Sequence, residues 1–154
     1  IRRPPRSTRK ESSAASDVYK RQLHEELLSN CVDLWNSLDI HYEIVNICTG
    51  DMGTVAAKKY DLEAWIPGAD QYKEIVSCSN CTDYQANRLS IRYGQPGHPN
   101  QPIAHTLNST AVATSRALVA IMEQNQLEDG RVRIPEVLQP FMGGQTILEP
   151  CTWG

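Results

Sequence analysis

No run of apolar residues in this chain approaches the ~20 that a membrane-spanning helix needs, so such a helix is excluded and a soluble chain is expected. The first residues are basic and polar, without the apolar stretch of a secretory leader, and export is not expected. A P-loop, GxGxxG, HExxH and internal repeats are all missing. With them go the usual signatures of phosphate-cradling loops, dinucleotide folds, zinc proteases and solenoids. Cys78-Ser79-Asn80-Cys81 has CxxC spacing, but no second CxxC or close His pair completes a zinc site. It also lacks the helix-start setting of redox CxxC pairs. Five cysteines cannot all pair internally, and in a chain without an export signal they read as reduced thiols.

What remains is an ordinary globular composition, 40% apolar and 21% charged over 154 residues, which fits one domain or a piece of a larger one. Charge is unevenly placed. Residues 1–22 hold seven of the 15 basic residues and two of the 18 acidic ones. The remainder carries eight basic against 16 acidic residues, or −8. An acidic body is poorly suited to grip nucleic-acid phosphates by itself. Residues 1–22, rich in Arg, Ser and Pro, lack periodicity and are expected to be disordered. They resemble translated adapter sequence and are set apart from the fold, leaving 23–154 as the structured portion; a basic nucleic-acid-binding arm is the competing reading.

From Leu23 the apolar residues Leu23, Leu27, Leu28, Val32, Leu34, Trp35 and Leu38 recur at helical spacing, predicting an amphipathic helix to about Ser37. Tyr42 to Cys48 predicts a buried strand, followed by a glycine-bracketed loop and a short helix over 54–58. Tyr60 to Ile66 predicts a second strand with Leu62, Ala64 and Ile66 on one face and Asp61, Glu63 and Trp65 on the other. The two carboxylates suit a solvated edge or the floor of a polar site, and spacing alone slightly favours the solvated edge. Pro67 to Gln71 is short enough to close an antiparallel hairpin onto the next strand, Tyr72 to Asn80. That strand runs out into the small and polar residues Ser77 to Cys81, suited to a polar ligand or a cation, or simply to a polar loop.

A short helix is expected over 83–88 and strands over 89–93 and 103–107, separated by a proline- and glycine-rich loop. Asn108 or Ser109 is expected to cap a long helix reaching about Gln126, apolar all round over Ala117 to Met122 and therefore buried. Arg116 would lie within that buried surface. It reads either as the partner of Glu123 or as a rigid cation presented to a phosphate. A short helix beginning at Pro135 and a turn over 140–144 close the chain.

Two blocks carry a specific likeness. Tyr60-Asp61-Leu62-Glu63-Ala64-Trp65-Ile66-Pro67, with Tyr72 to Asn80 and Tyr84-Gln85-Ala86-Asn87-Arg88, resembles the catalytic core of seryl-tRNA synthetases. His105-Thr106-Leu107-Asn108-Ser109-Thr110-Ala111, with Arg116 to Glu123, resembles class II motif 3, although Ser109, Ala111 and Ser115 replace glycines there. The likeness covers residues 23–149. It implies an α+β fold, part of a class II synthetase catalytic core, with an antiparallel sheet flanked by helices. It implies activation of serine with ATP and Mg²⁺, transfer to serine tRNA, and a homodimer in the full-length family; a cytoplasmic location is the default expectation, and an organelle enzyme would look alike.

Carried over position by position, the resemblance makes Glu74 and Arg116 the catalytic pair. Glu74, Ile75, Val76, Ser77 and Arg116 match the ATP-binding positions. Glu74 and Ser77 match the Mg²⁺ ligands, and Asn80, Asn108 and Thr110 the substrate pocket. Strict strand alternation puts Glu74 and Ser77 on opposite faces, so their joint action requires a bulge or a strand end before Ser77. Motif 1, the serine loop, motif 2 and the tRNA-gripping arm precede this segment in the family and do not occur here. A C-terminal fragment, inactive alone, is therefore expected. An amino acid:carrier protein ligase and a non-catalytic binding or dimerisation module remain open alternatives.

Overall fold

The computed structural model describes residues 17–95 and 97–151. Among them, four strands form one antiparallel sheet in the order β1 (Tyr42–Asn46), β2 (Lys58–Ile66), β3 (Gln71–Thr82) and β4 (Thr106–Ser109). Helix α1 (Asp17–Ser37) precedes the sheet, α2 (Tyr84–Leu89) lies between β3 and β4, and α3 (Thr114–Gln124) follows β4. A small ribbon of β5 (Val132–Arg133) and β6 (Ile147–Leu148) lies near the C-terminus. The expected α+β architecture is borne out.

One face of the sheet is apolar because β2 alternates: Leu62, Ala64 and Ile66 all point into the core. Trp35, Cys31 and Leu38 of the α1 end, together with Ala117 and Ala120 of α3, close over them as a single cluster with Ile75 and Val76. Small residues at 117 and 120 let α3 lie close to β2. Trp35 is fully buried, and its indole N–H donates to the Ala111 carbonyl at 3.1 Å, tying α1 to the segment that leads into α3. The opposite sheet face is not covered by these helices and carries the polar residues.

Several elements differ from expectation. Helix α1 starts at Asp17, so residues 17–22 are helical; Lys20, Arg21 and Gln22 are good helix formers with no Gly or Pro among them. Residues 1–16, expected to be disordered, lie outside the described residues. β1 is an edge strand, not a buried one: among the described residues it has a neighbour only in β2, and Ile44 is 49% exposed. No helix forms over 54–58; turns lead directly into β2. The region 89–93 contributes only an isolated Arg92–Ile103 bridge. Asn108 and Ser109 belong to β4 and do not cap α3, whose N-cap is Ala113. The end of the chain forms a 3₁₀ segment over Glu136–Met142 where a helix starting at Pro135 was expected.

Helix α3 also departs from the expectation of full burial. Leu118, Val119 and Met122 are 56%, 45% and 49% exposed, and only Ala117 and Ala120 are buried. Apolar residues on every side indicate what a helix could bury, not what covers it. Glu123 does not pair with Arg116; it accepts the Gly68 N–H at 2.7 Å and so fastens the β2–β3 turn to the end of α3.

Candidate active site

The site is built around an irregularity in β3. Asp61 pairs with Ser77 and Leu62 with Val76, but Glu63 pairs with Glu74. Ile75 is therefore an extra residue, a bulge that resets the alternation. Both Ile75 and Val76 turn into the core, where they are 1% and 0% exposed. Glu74 and Ser77, three apart, consequently share the polar face. This is the bulge that joint action of these two residues requires.

On the same face the register aligns Lys59, Asp61 and Glu63 of β2 with Ser79, Ser77 and Glu74 of β3, and brings Glu43 of β1 opposite Glu63. Asn108 of β4 stands opposite Ser79, and the Thr110 N–H extends that ladder to the Ser77 carbonyl at 3.0 Å. Asn108, Thr110, Ser77 and Glu74 thus lie along one side of the sheet.

Among the described residues no strand pairs with the outer edge of β3 on the Glu74 side of Ser77. Arg116 fills that edge from α3. Its Nη1 donates to the Glu74 carbonyl at 2.6 Å and to Glu74 Oε1 at 3.0 Å. The guanidinium is half exposed, not enclosed as expected, and the Glu74 side chain is 38% exposed. The two groups expected to act together are in direct contact, and both can be reached by a ligand.

Electrostatics on this face favour cations. The four carboxylates of Glu43, Asp61, Glu63 and Glu74 are met here by two cations, Lys59 and Arg116, which leaves an acidic excess. Lys59 Nζ lies 3.0 Å from Asp61 Oδ2 and 4.0 Å from Glu74 Oε2. Burial pulls the Lys59 ammonium down, but the carboxylates of Asp61, Glu74 and Asp51 outweigh it and leave its pKa raised. Glu63 is pushed up, first by burial and then by Glu43, Asp61, Glu74 and Asp51. Asp61 is almost fully buried, and its Oδ1 has no hydrogen-bond partner. A buried oxygen left unpaired is costly, and a carboxylate oxygen more so.

The remaining sequence-derived positions divide. The side chains of Ile75 and Val76 are committed to the core, so only their main chain is available to a ligand. Asn80 is directed elsewhere: its Oδ1 accepts the Thr82 N–H at 3.1 Å and closes a second irregularity at the end of β3. Cys78 and Cys81 are buried and unpaired, and burial raises both thiols, which suits packing and not redox chemistry. Among the described residues no three His, Cys, Asp or Glu side chains converge to hold a metal on their own. A hard dication nevertheless fits the oxygen donors of Glu74 and Ser77, with Asp61 and its orphaned oxygen on the residue paired with Ser77, because Mg²⁺ takes one or two carboxylates and completes its shell with phosphate and water. Sequence reasoning missed Lys59 and gave Asp61 no definite role. Alternation placed Asp61 and Glu63 together, but cross-strand neighbours cannot be read without the register.

Residues 12–125 match the tRNA synthetase class II core domain of the glycine, histidine, proline, serine and threonine enzymes. The chain belongs to the class II tRNA synthetases. Within that family it is 60% identical over 120 residues to a serine–tRNA ligase of Archaeoglobus fulgidus, a match covering 77% of this chain and 26% of the relative. To a serine–tRNA ligase of Pyrococcus horikoshii it is 55% identical over 136 residues, covering 85% of this chain and 30% of the relative. Its fold superposes on the crystal structure of the Pyrococcus horikoshii seryl-tRNA synthetase complexed with ATP. The TM-score is 0.82, with 52% identity over 86% of this chain and 30% of that one. A cytoplasmic serine–tRNA ligase from Naegleria fowleri in complex with AMP matches with a TM-score of 0.80 and 47% identity, again over 86% of this chain and over 31% of that chain. The chain therefore spans about a third or less of the length of these relatives.

Proposed function

We propose that this segment forms the nucleotide and cation side of a serine-activating site in a serine–tRNA ligase. In that reaction a serine carboxylate oxygen attacks the α-phosphorus of ATP and pyrophosphate leaves; a hydroxyl at the 3′ end of serine tRNA then takes the seryl group from the adenylate, and AMP leaves. No protein nucleophile is required, so the residues act by placing charge. The observation that carries the reading is the convergence of Arg116 and Glu74 at the open edge of β3, with Ser77 brought to the same face by the Ile75 bulge.

Arg116 presents a fixed, always-charged fork toward departing phosphates. Glu74 and Ser77 supply oxygen donors for Mg²⁺, which when bound would neutralise phosphate charge. Main-chain groups at Ile75 and Val76 are available to the nucleotide, and Asn108 and Thr110 flank the amino-acid side. Asn80 belongs to this proposal only through the geometry it imposes on the end of β3. The identity to serine–tRNA ligases supports tRNA over a carrier protein as the acceptor. Homodimerisation, which rests on the family resemblance, and a cytoplasmic location, the default expectation, are part of the same proposal. No helix among the described residues is long and apolar enough to cross a membrane.

The test is a chimera in which residues 23–151 replace the corresponding segment of the Pyrococcus horikoshii enzyme. Serine-dependent ATP–pyrophosphate exchange is expected, and it should be lost on Glu74→Gln. A well-folded chimera that exchanges with another amino acid, or that is indifferent to Glu74, would overturn the proposal.

A further inference from the structure

The polar face holds one cation that no expectation supplied. Lys59 starts one alternate position before Asp61 on β2, and its stem runs along the sheet so that the ammonium stands between Asp61 and Glu74, at 3.0 and 4.0 Å. Asp61 is the register partner of Ser77. The ammonium therefore stands between Glu74 and the register partner of Ser77, on the face that Glu74 and Ser77 share. Glu74 is held on its other oxygen by Arg116, so Oε2 is the one directed to this space. Beside it lies Asp61 Oδ1, buried and without a partner. The row Glu43, Glu63 and Glu74 adds like charges directly opposite one another across three strands, which is unfavourable without a counterion.

We infer that Lys59 is a built-in stand-in for the divalent cation: its ammonium holds the position between Asp61 and Glu74, an entering dication displaces it, and Asp61 Oδ1 becomes an additional ligand or anchors a ligand water. The inference rests on the reading of Glu74 and Ser77 as cation ligands and adds Lys59 and Asp61 to it. Lysine suits the role because its charge is a compact point on a flexible stem that can swing to solvent without moving the backbone. The exchange keeps a cation against Asp61 and Glu74 in both states and opposes dication binding when no nucleotide is present. Lys59 and Asp61 are thus positioning residues that set the cation affinity of Glu74.

The test uses the whole 154-residue chain and Mn²⁺ as the probe, with free Mn²⁺ followed by electron paramagnetic resonance in the absence of nucleotide. Lys59→Met keeps the stem and removes the charge. It should tighten Mn²⁺ binding about tenfold, the order expected when one unit charge within a few Å of a solvent-accessible site is deleted. Adding Asp61→Asn to Lys59→Met should reverse the gain. An affinity unchanged or weakened in a folded Lys59→Met chain would overturn the inference. A second reading needs no variant: in the unsubstituted chain, the Lys59 ε-methylene resonance should shift as Mg²⁺ saturates the Glu74 side-chain signal. A Lys59 signal that stays fixed while Glu74 responds would equally overturn it. If Glu74→Gln leaves Mn²⁺ affinity intact, Glu74 is not a ligand and the inference falls together with that part of the proposed site. If the chimera still performs serine-dependent pyrophosphate exchange while Lys59→Met binds Mn²⁺ no more tightly, the role given to Lys59 falls and the proposed function stands.

Discussion

Arg116 donates both to the side chain and to the carbonyl of Glu74, so one guanidinium fixes the rotamer of the carboxylate and caps an unpaired strand edge. Solvent reaches both partners, and an exposed ion pair of this kind contributes on the order of 1 kcal/mol or less to stability. Arg116→Ala is therefore expected to lower the melting temperature of the chain slightly. In the chimera the same change should reduce ATP–pyrophosphate exchange by about 10²–10³-fold, the scale of losing one preorganised charge from a transition state. A large stability loss with exchange unaffected would reverse that assignment. Glu63 makes a second prediction. Its pKa is raised in the folded chain, by burial and by the flanking carboxylates, so its contribution is most favourable while it is protonated and is lost as pH rises through the raised value. Glu63→Gln should consequently raise the melting temperature at neutral pH and change it little well below the ordinary glutamate range, as thermal melts at the two pH values would show.

The bulge at Ile75 is the element that joins fold to site. By taking one extra residue into the core it lets two consecutive apolar side chains, Ile75 and Val76, pack beneath Leu62 while Glu74 and Ser77 emerge together. Ile75→Ala should cost about 2–4 kcal/mol, the range for emptying a large aliphatic site in a packed core, measured as the shift in urea unfolding. A loss well under 1 kcal/mol would mean that the bulge is not held by its packing. The β2–β3 hairpin, the partition of β2 into two faces and the short α2 were legible because strict alternation and turn residues are local signals. The bulge was legible only as a requirement, since Lys73-Glu74-Ile75-Val76-Ser77 gives no local sign of where alternation slips. The contact of Arg116 with Glu74 spans 42 residues and depends on where β4 leaves the edge of β3. The family resemblance named both residues, but the pairing with Glu123 that spacing also allowed proved wrong, because Glu123 is claimed by the Gly68 amide.

At the scale of the whole molecule, apolar side chains lie open on the outer side of the fold. Leu118, Val119 and Met122 of α3 are about half exposed, and Phe141 is 84% exposed. Surfaces of this kind bind hydrophobic probes and favour association. The isolated chain should enhance 1-anilinonaphthalene-8-sulfonate fluorescence, and Leu118→Glu with Met122→Glu should reduce that signal without lowering the melting temperature; no enhancement in the unsubstituted chain would contradict this. The chain also covers about 30% of the Pyrococcus horikoshii relative, so by itself it is expected to show no serine-dependent exchange. Convergence of Arg116, Glu74 and Ser77 on one nucleotide is best checked by a crystal structure of the chimera with a non-hydrolysable ATP analogue and Mg²⁺. The phosphates should lie against Arg116 and the cation between Glu74 and Ser77, with the Lys59 ammonium withdrawn from Glu74. An analogue bound away from the open edge of β3, with the Arg116–Glu74 pair undisturbed and no cation on Ser77, would contradict that convergence.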